Sequence, residues 1–555
     1  MRLFDEMNEI KQSRNPMALL QKICLLLACG AVFNASAQSQ PTDNTITNGL
    51  PPAVISTTNK ISSSSSTTTN GLPPARKTRT LSLVDCIQLA LENNLDIQIQ
   101  RYNPKIADFT LRSDFSAWDP TASFAANKRY DDLPGGFDPN TGTPLPSTQL
   151  EANNYTPTLQ GVLPIGTIYT VTGTMSRESI RSTNSPSYWL PPGWVSDDPG
   201  PGITLTQPLL KNFWIDKSRL QIKLDKASLK ISQYAYILQV MTTVTSVKSA
   251  YYSLLYNRGN VEANATALKL AQQLVAENVT RVRVGTLANL DEKQSESQAA
   301  ASQAALQAAQ QALVVQENTL KSLLTTNYMD WANVTPIPSE ELMAVPQELD
   351  LQESWRRAIA QRPELAEAKL NVEKQNVTLK YNLNQIFPEL DVTGSYGHNS
   401  DNTTFDGSMN DLAQGAHSYY SYGVNIAIPL GNIGPRNAYK ASKMSLKQVL
   451  LQLKQQEQNI LVQVDNDVGQ VRSTLQQVDA TRAARIYAED ALQAERTKLE
   501  NGKSTSFIVL QLISTLTTAR VNEVQALANY NIAVAQLSLD EGSTLQANQI
   551  DVGFK

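Results

Sequence analysis

Leu83–Asp96 reads LVDCIQLALENNLD and Leu351–Glu364 reads LQESWRRAIAQRPE, and the two lie over one another without a gap. Leu83 meets Leu351, Ala90 meets Ala358 and Asp96 meets Glu364. The same offset carries Pro120 onto Pro388, each followed by a strand-like run. Farther along, TQPLL (Thr206–Leu210) matches AIPLG (Ala427–Gly431). RVRVGTLANLD (Arg281–Asp291) matches TKLENGKSTSFIVL (Thr497–Leu510), aligned on Gly285 and Gly502. One plan recurs: short helix, β segment, very long helix, glycine turn, helix. So long a period exceeds the about 20–50 residues of a solenoid repeat, which points to a duplicated half built around an axis.

Working outward, Asp216–Arg283 and Arg436–Glu500 carry no proline and read as single helices, each on the order of 100 Å long at about 1.5 Å per residue. Gly259 and Gly469 are isolated interruptions costing about 1 kcal/mol each. In the second helix Ile460, Val464, Val468, Val471, Leu475 and Val478 recur at steps of four and three, a coiled-coil seam. The helix after Gly285 carries Ala299, Leu306, Leu313 and Leu320 every seventh residue among Ala, Gln and Ser, so helices can approach closely. A plain antiparallel coiled coil would show the same features.

The β segments discriminate. In YYSYGVNIAIPL, Tyr420, Tyr422, Val424, Ile426 and Ile428 fall on one face and Ser421, Gly423, Asn425 and Ala427 on the other. That alternation has the length a tilted transmembrane strand needs, and it marks the first set as a lipid-facing strand surface. GTIYTVTGTMS (Gly166–Ser176) alternates too, with Tyr169, Val171 and Met175 facing one way and threonines the other. Single strands of this kind also occur in soluble sandwiches.

Composition narrows the class. Only 6% of the 555 residues are aromatic, too few for several compact aromatic cores, and a formal charge of −4 without basic blocks argues against nucleic acid as a partner. Ile23–Phe33 follows Lys22 and precedes Ala35-Ser36-Ala37, a signal-peptide core with an A-x-A cleavage site. Met17 would give a more ordinary start than Met1. Leu26–Cys29 also reads as a lipoprotein box, though cleavage there leaves a short apolar core. Without it Cys86 is the single cysteine of the mature chain, placed on the apolar face of the first helix. Gln38–Thr80 is rich in Ser, Thr, Asn and Pro, contains TNGLPPA twice and reads as a disordered leader.

No phosphate loop, zinc-protease or nucleophile-elbow motif is present, so no enzyme and no cofactor are expected. His398 and His417 lack further ligands at metal-site spacing. Asp465 and Asp467 read as solvated carboxylates on the outer side of the seam.

Taken in order, LSLVDCIQLALENNLDIQ, TQPLL entering a long helix, RVRVGTLANLDEKQSESQAA, NGKSTSFIVLQLISTLTTAR and YNIAVAQLSLDEGSTL resemble the TolC family of outer-membrane efflux and secretion channels across about Leu81–Leu545. The resemblance implies a mainly α fold with β. A long antiparallel coiled-coil α-barrel and a transmembrane β-barrel, internally duplicated, would be completed in a homotrimer. It also implies a passive outer-membrane exit duct of a tripartite efflux pump or type I secretion system. The partners would be outer-membrane lipid, a periplasmic membrane-fusion adaptor protein and an inner-membrane transporter. In the family the helix-pair turns form a periplasmic tip, so Val284, Gly285, Thr286, Leu287 and Gly502 become adaptor contacts. Asp291 becomes a gate acid, with Arg281, Arg283 and Lys503 as partners and Ile508 and Gln511 at the comparable second-repeat positions. The plain alternative for Asp291 is an acid favouring a helix N-terminus. The rival for the whole chain is an exported coiled-coil scaffold without channel activity.

The expected organisation is a signal peptide (1–37), a leader (38–80), a first repeat (81–330), a linker (331–350), a second repeat (351–545) and a tail (546–555). The first repeat holds a β segment at 118–208, a long helix at 216–283, a tip at 284–291 and a helix at 291–327. The second holds a β segment at 387–430, a long helix at 436–500, a tip at 501–506 and a helix at 507–540. One asymmetry stands out: Pro120 to Pro208 spans 88 residues and Pro388 to Pro429 only 41, so the first β region carries 47 extra, enough for another hairpin around LPIGT (Leu163–Thr167).

Overall fold

The computed structural model describes residues 77–144, 146–182, 190–195, 200–285 and 287–553. The signal peptide, the leader up to residue 76 and Thr286 of the expected tip lie outside the described residues.

In chain order the elements begin with β1 (Lys77–Leu81), α1 (Leu83–Asn93), α2 (Leu95–Asp114) and a 3-10 turn (Phe115–Trp118). The first β region follows: β2 (Thr121–Leu133), β3 (Thr148–Val162), β4 (Ile168–Thr172), β5 (Met175–Ser182), β6 (Leu190–Val195) and β7 (Gly202–Pro208). Then come α3 (Lys217–Arg283), α4 (Asn289–Leu324), α5 (Tyr328–Trp331) and β8 (Val334–Pro338). The second repeat comprises α6 (Leu351–Gln361), α7 (Pro363–Asn384), β9 (Glu389–His398), β10 (Asp401–Asn402), α8 (Phe405–Ala413), β11 (Ser418–Ala427), α9 (Ile433–Glu500) and α10 (Ser506–Asp540), and α11 (Thr544–Ala547) closes the chain.

α3 and α9, of 67 and 68 residues, run the length of the helical part. Toward the strands α2 packs on α3, α3 on α7 and α7 on α9; toward the glycine turns α4 packs on α3, α3 on α10 and α10 on α9. Each half is thus one layer of four helices rather than a bundle closed around its own core. Ile460, Val464, Val468, Val471 and Val478 are buried as the 4-3 spacing predicts, against Ala526, Tyr530, Ala533 and Leu537 of α10. Along the turn-proximal part of α4 the buried seam positions are small, Ser295, Ser302 and Ala309, one heptad apart, with Ala299, Leu306 and Leu313 half-buried beside them; toward the other end the heptad itself reaches the core at Leu320. The heptad of leucines is therefore half of the contact, and the other half is a line of small residues that brings α4 close to α3.

α1 begins at a capping box in which Ser82 accepts from the Asp85 N–H and Asp85 accepts from the Ser82 N–H, satisfying two otherwise free donors. Its apolar face buries Cys86, Ile87 and Ala90 against Val247, Tyr251 and Leu254 of α3, with Cys86 fully enclosed. Ala90 and its repeat partner Ala358 are both buried, each where a short helix crosses a long one.

Several boundaries move. Residues 77–80, expected to end the disordered leader, form β1, which pairs in parallel with β8 inside the expected 331–350 linker. The strand that leads into the first repeat and the linker between the repeats are held to each other by backbone hydrogen bonds. α9 starts at Ile433, three residues before the expected position, because Asn432 takes a left-handed conformation and turns the chain into the helix. α4 starts at Asn289, so the tip is shorter than 284–291. The other nine described strands form one antiparallel sheet, ordered β2, β3, β4/β5, β7/β6, β9/β10 and β11. β4 and β5 face β3 end to end in one register. Among the described residues no helix is long and apolar enough to cross a membrane.

Candidate functional site

Two surfaces are built from residues the sequence singles out, and a third lies around a residue the sequence misplaces. On the sheet, β11 pairs with β9 so that Tyr420 meets Tyr396, Val424 meets Val392 and Ile426 meets Leu390. Directly paired residues share a face and successive residues alternate, so this face is apolar across both strands. Tyr422, Val424 and Ile426 are 87%, 63% and 61% exposed, and Ile428 just beyond the strand is equally open. The opposite face carries hydroxyls that pair across strands: Ser395 with Ser421 at 2.5 Å and Thr206 with Thr393 at 3.3 Å. One side suits hydrocarbon and the other suits water.

The second surface is the far end of the helices. Gly285 (φ +77) and Gly502 (φ +70) each stand just past a long helix in the left-handed region that glycine enters freely. The Gly502 N–H bonds the Leu499 carbonyl and the Lys503 N–H reaches back to the Lys498 carbonyl, a Schellman closure; Gly285 bonds the Val282 carbonyl in the same manner. Arg281 and Arg283 occupy the last turn of α3, Val284 is 67% exposed, Leu287 is half-buried and Asp291 lies in the first turn of α4. Ile508 and Gln511 are exposed in the opening turns of α10, and Lys503 is exposed in the turn itself.

The two turns are neighbours. Ser506 donates to Asn278 across the repeats at 2.9 Å, fully buried, and Leu274 of α3 packs with Leu499, Val509 and Ile513. The sequence gives no sign of this bond or of the brace around Glu495, which accepts from Lys498 at 2.8 Å and from Ser504 at 2.5 Å. Those contacts hold the Glu495 carboxyl below its ordinary range, the Lys498 bond most of all.

The third surface lies at mid-length and corrects the reading of Asp467 as solvated. Arg362, turning between α6 and α7, is 8% exposed and bonds Glu364 at 2.8 Å, Asp540 at 3.1 Å and Gln463 at 3.1 Å. Asp467 of α9 projects into this cluster beside Asp540. Burial, then a hydrogen bond to Asp540 and repulsion from it, push the Asp467 carboxyl up to about 7, partly opposed by Arg362. At the repeat-equivalent position Asn94 serves as a neutral cap, accepting from the Asp96 and Ile97 N–H groups and donating to the Leu323 carbonyl. Only one repeat carries the ion cluster, and strand or helix periodicity contains no signal for it.

Because Asp467 keeps its proton in the folded chain where the unfolded chain has lost it, stability falls as pH rises from about 4 through about 7 and is level above. Asp467→Asn is therefore expected to raise stability at pH 8, on the order of 1–3 kcal/mol, and to leave it unchanged at pH 4. Thermal unfolding in detergent at the two values checks this; an equal effect at both would mean the carboxyl does not titrate there.

Comparison with known proteins follows the geometry. The family profile of outer membrane efflux proteins matches residues 171–326 and 355–540, more than half of the chain. Among solved structures, the fold is similar to that of the Campylobacter jejuni CmeC outer membrane channel (TM-score 0.60, 15% identity, covering 83% of this chain and 86% of that one). It is likewise similar to the Vibrio cholerae outer membrane protein VceC (0.60, 15%, 83% and 96%). The Neisseria gonorrhoeae MtrE outer membrane channel, solved in its open state, also matches (0.56, 15%, 83% and 89%). No curated protein matches the chain significantly. The matched segments contain both long helices, both glycine turns and the strands that enter them, and the chain belongs to the outer membrane efflux protein family.

Proposed function

We propose that three copies of this chain close into a passive exit duct. A β-barrel would stand in the outer membrane and a helical tunnel would hang into the periplasm. The duct would be coupled through its tips to an adaptor and an inner-membrane transporter, in a tripartite efflux pump or a type I secretion system. The observation that carries this reading is the single helix layer. Among the described residues both ends of the four-helix layer lack a neighbour and both edges of the attached sheet are unpaired, which supports further copies as the source of the missing contacts. A periplasmic scaffold made of the same helices has no use for a sheet with one apolar and one hydroxylic face.

Purified protein placed in planar lipid bilayers is expected to give discrete conductance steps. Failure of trimer-sized particles to conduct would sink the duct. In the same assay Asp291→Ala is expected to raise the conductance and alter cation block, as removal of an acid lining a constriction would. Unchanged conductance would move the narrowing to Ile508, where an apolar ring gates by dewetting. Gly285→Val places a branched side chain at φ +77, a strain of about 1–2 kcal/mol confined to the turn. It should reduce pump-dependent export while leaving trimer and bilayer conductance intact.

A further inference from the structure

The second β region supplies two long strands, β9 and β11, whereas the first supplies four positions in the sheet: β2, β3, the β4/β5 line and β7. The family match begins at residue 171, so β2 and β3 lie outside it. The pair could be an ornament beside a smaller barrel or part of the wall, and the register separates the two. One row of directly paired residues crosses all six positions as Ala122, Leu159, Val171, Ile203, Tyr396 and Tyr420. The next row reads Thr121, Gln160, Thr170, Thr204, Ser395 and Ser421. The first is apolar and the second polar from one end to the other. A one-residue slip anywhere would exchange the faces, so β2 and β3 keep the phase of the strands whose apolar face suits lipid. An independent ribbon in water has no reason to do so.

Length and anchoring agree. β2 and β3 have 13 and 15 residues, beyond the about 9–11 that a tilted strand needs to cross a bilayer. The turn that leads from β3 into β4 is held where the strands become helices: Thr167 bonds the Gln207 side chain, and a β-carbon on Gly166 would lie 2.8 Å from the Arg219 guanidinium of α3. β2 and β11 are the unpaired margins of the main sheet. β2 runs away from the helices and β11 runs back toward them, so β11 of one copy set beside β2 of the next makes an antiparallel pair.

We propose that β2 and β3 form an additional membrane-spanning hairpin. Each protomer then contributes six strands, and three copies close an eighteen-stranded barrel through β2–β11 contacts, with the Ala122 row against lipid acyl chains. This rests on the duct reading. Since diameter grows roughly linearly with strand number, the outer-membrane segment is about half as wide again as one built from two strands per repeat. The helical tunnel, four helices per copy, is not widened.

The test places single spin labels at Phe124→Cys, Leu159→Cys, Thr158→Cys and Val424→Cys in Cys86→Ala protein, reconstituted as trimers in phospholipid vesicles. Collision with oxygen, which partitions into lipid, is compared with collision with a water-soluble nickel chelate. Labels at 124, 159 and 424 should favour oxygen several-fold, and the label at 158 should favour nickel. Water-like values at 124 and 159 with a lipid-like value at 424 overturn the extra hairpin and leave the duct standing. A water-like value at 424 as well overturns the duct itself. Loss of the alternation between 158 and 159 also overturns the hairpin. Ala126→Cys, on the same face, replaces Phe124→Cys if that variant does not assemble.

Discussion

Replacing Ile99 and Ile106 together with aspartate is expected to abolish the trimer. Leu95, Ile99, Tyr102, Ile106 and Phe109 stand on α2 at steps of four and three, and they are 50%, 63%, 63%, 59% and 67% exposed. The spacing is that of a coiled-coil seam, but nothing among the described residues covers it, because α2 packs on α3 by its other side. At the opposite margin of the layer α9 leaves Met444 and Leu451 open at 57% and 69%. In the proposed ring, α2 of one copy seated on α9 of the next would bury both. Covering an isoleucine contributes about 1.5–3 kcal/mol, and closure repeats the contact at three interfaces. An unpaired carboxylate in the same place adds a desolvation cost of several kcal/mol. Light scattering in detergent should show a trimer for the parent protein and monomer or aggregate for the double variant. A trimer retained by the variant would mean that α2 faces solvent in the assembly and that the ring closes elsewhere.

Arginine on the apolar strand face should be nearly as damaging, and its effect should alternate with position. Val424→Arg or Ile426→Arg puts a cation toward hydrocarbon at a cost of about 2–4 kcal/mol near the bilayer midplane. Asn425→Arg points the other way and meets Asp391, its direct cross-strand partner, so it should be tolerated. The yield of membrane-inserted trimer resistant to urea extraction measures the difference. Equal losses at all three positions would place this strand outside lipid or shift its register by one.

The second prediction draws on a pattern legible in the chain itself, whereas the first rests on an exposure that only the fold reveals. Periodicity is local: a 4-3 rhythm of Ile460, Val464 and Val468, or the alternation of Tyr422 and Val424 with Gly423 and Asn425, reports which side of an element is apolar regardless of what covers it. Proline-free stretches and the paired glycines Gly285 and Gly502 likewise announce long helices and their turns, since the left-handed residue past a helix end is a constraint on a single position. The duplication, the element order, the family and the apolar strand face therefore follow from the chain alone.

What neighbours an apolar side is decided elsewhere. Ser295 and Ser302 hold no hydrophobic signal, yet they are buried on α4 because close approach to α3 selects small volume over apolarity. Asp467 has the spacing of an exposed position and is half-buried because Arg362 and Asp540 converge on it from parts of the chain about a hundred and about seventy residues away, a meeting that depends on the crossing of α7, α9 and α10. Ser506 finds Asn278 only when the two hairpins lie side by side. The added hairpin could be counted from the 47 surplus residues, but its phase could not. Register is a relation between strands, and it took the paired rows from Ala122 to Tyr420 to show that one face is continuous.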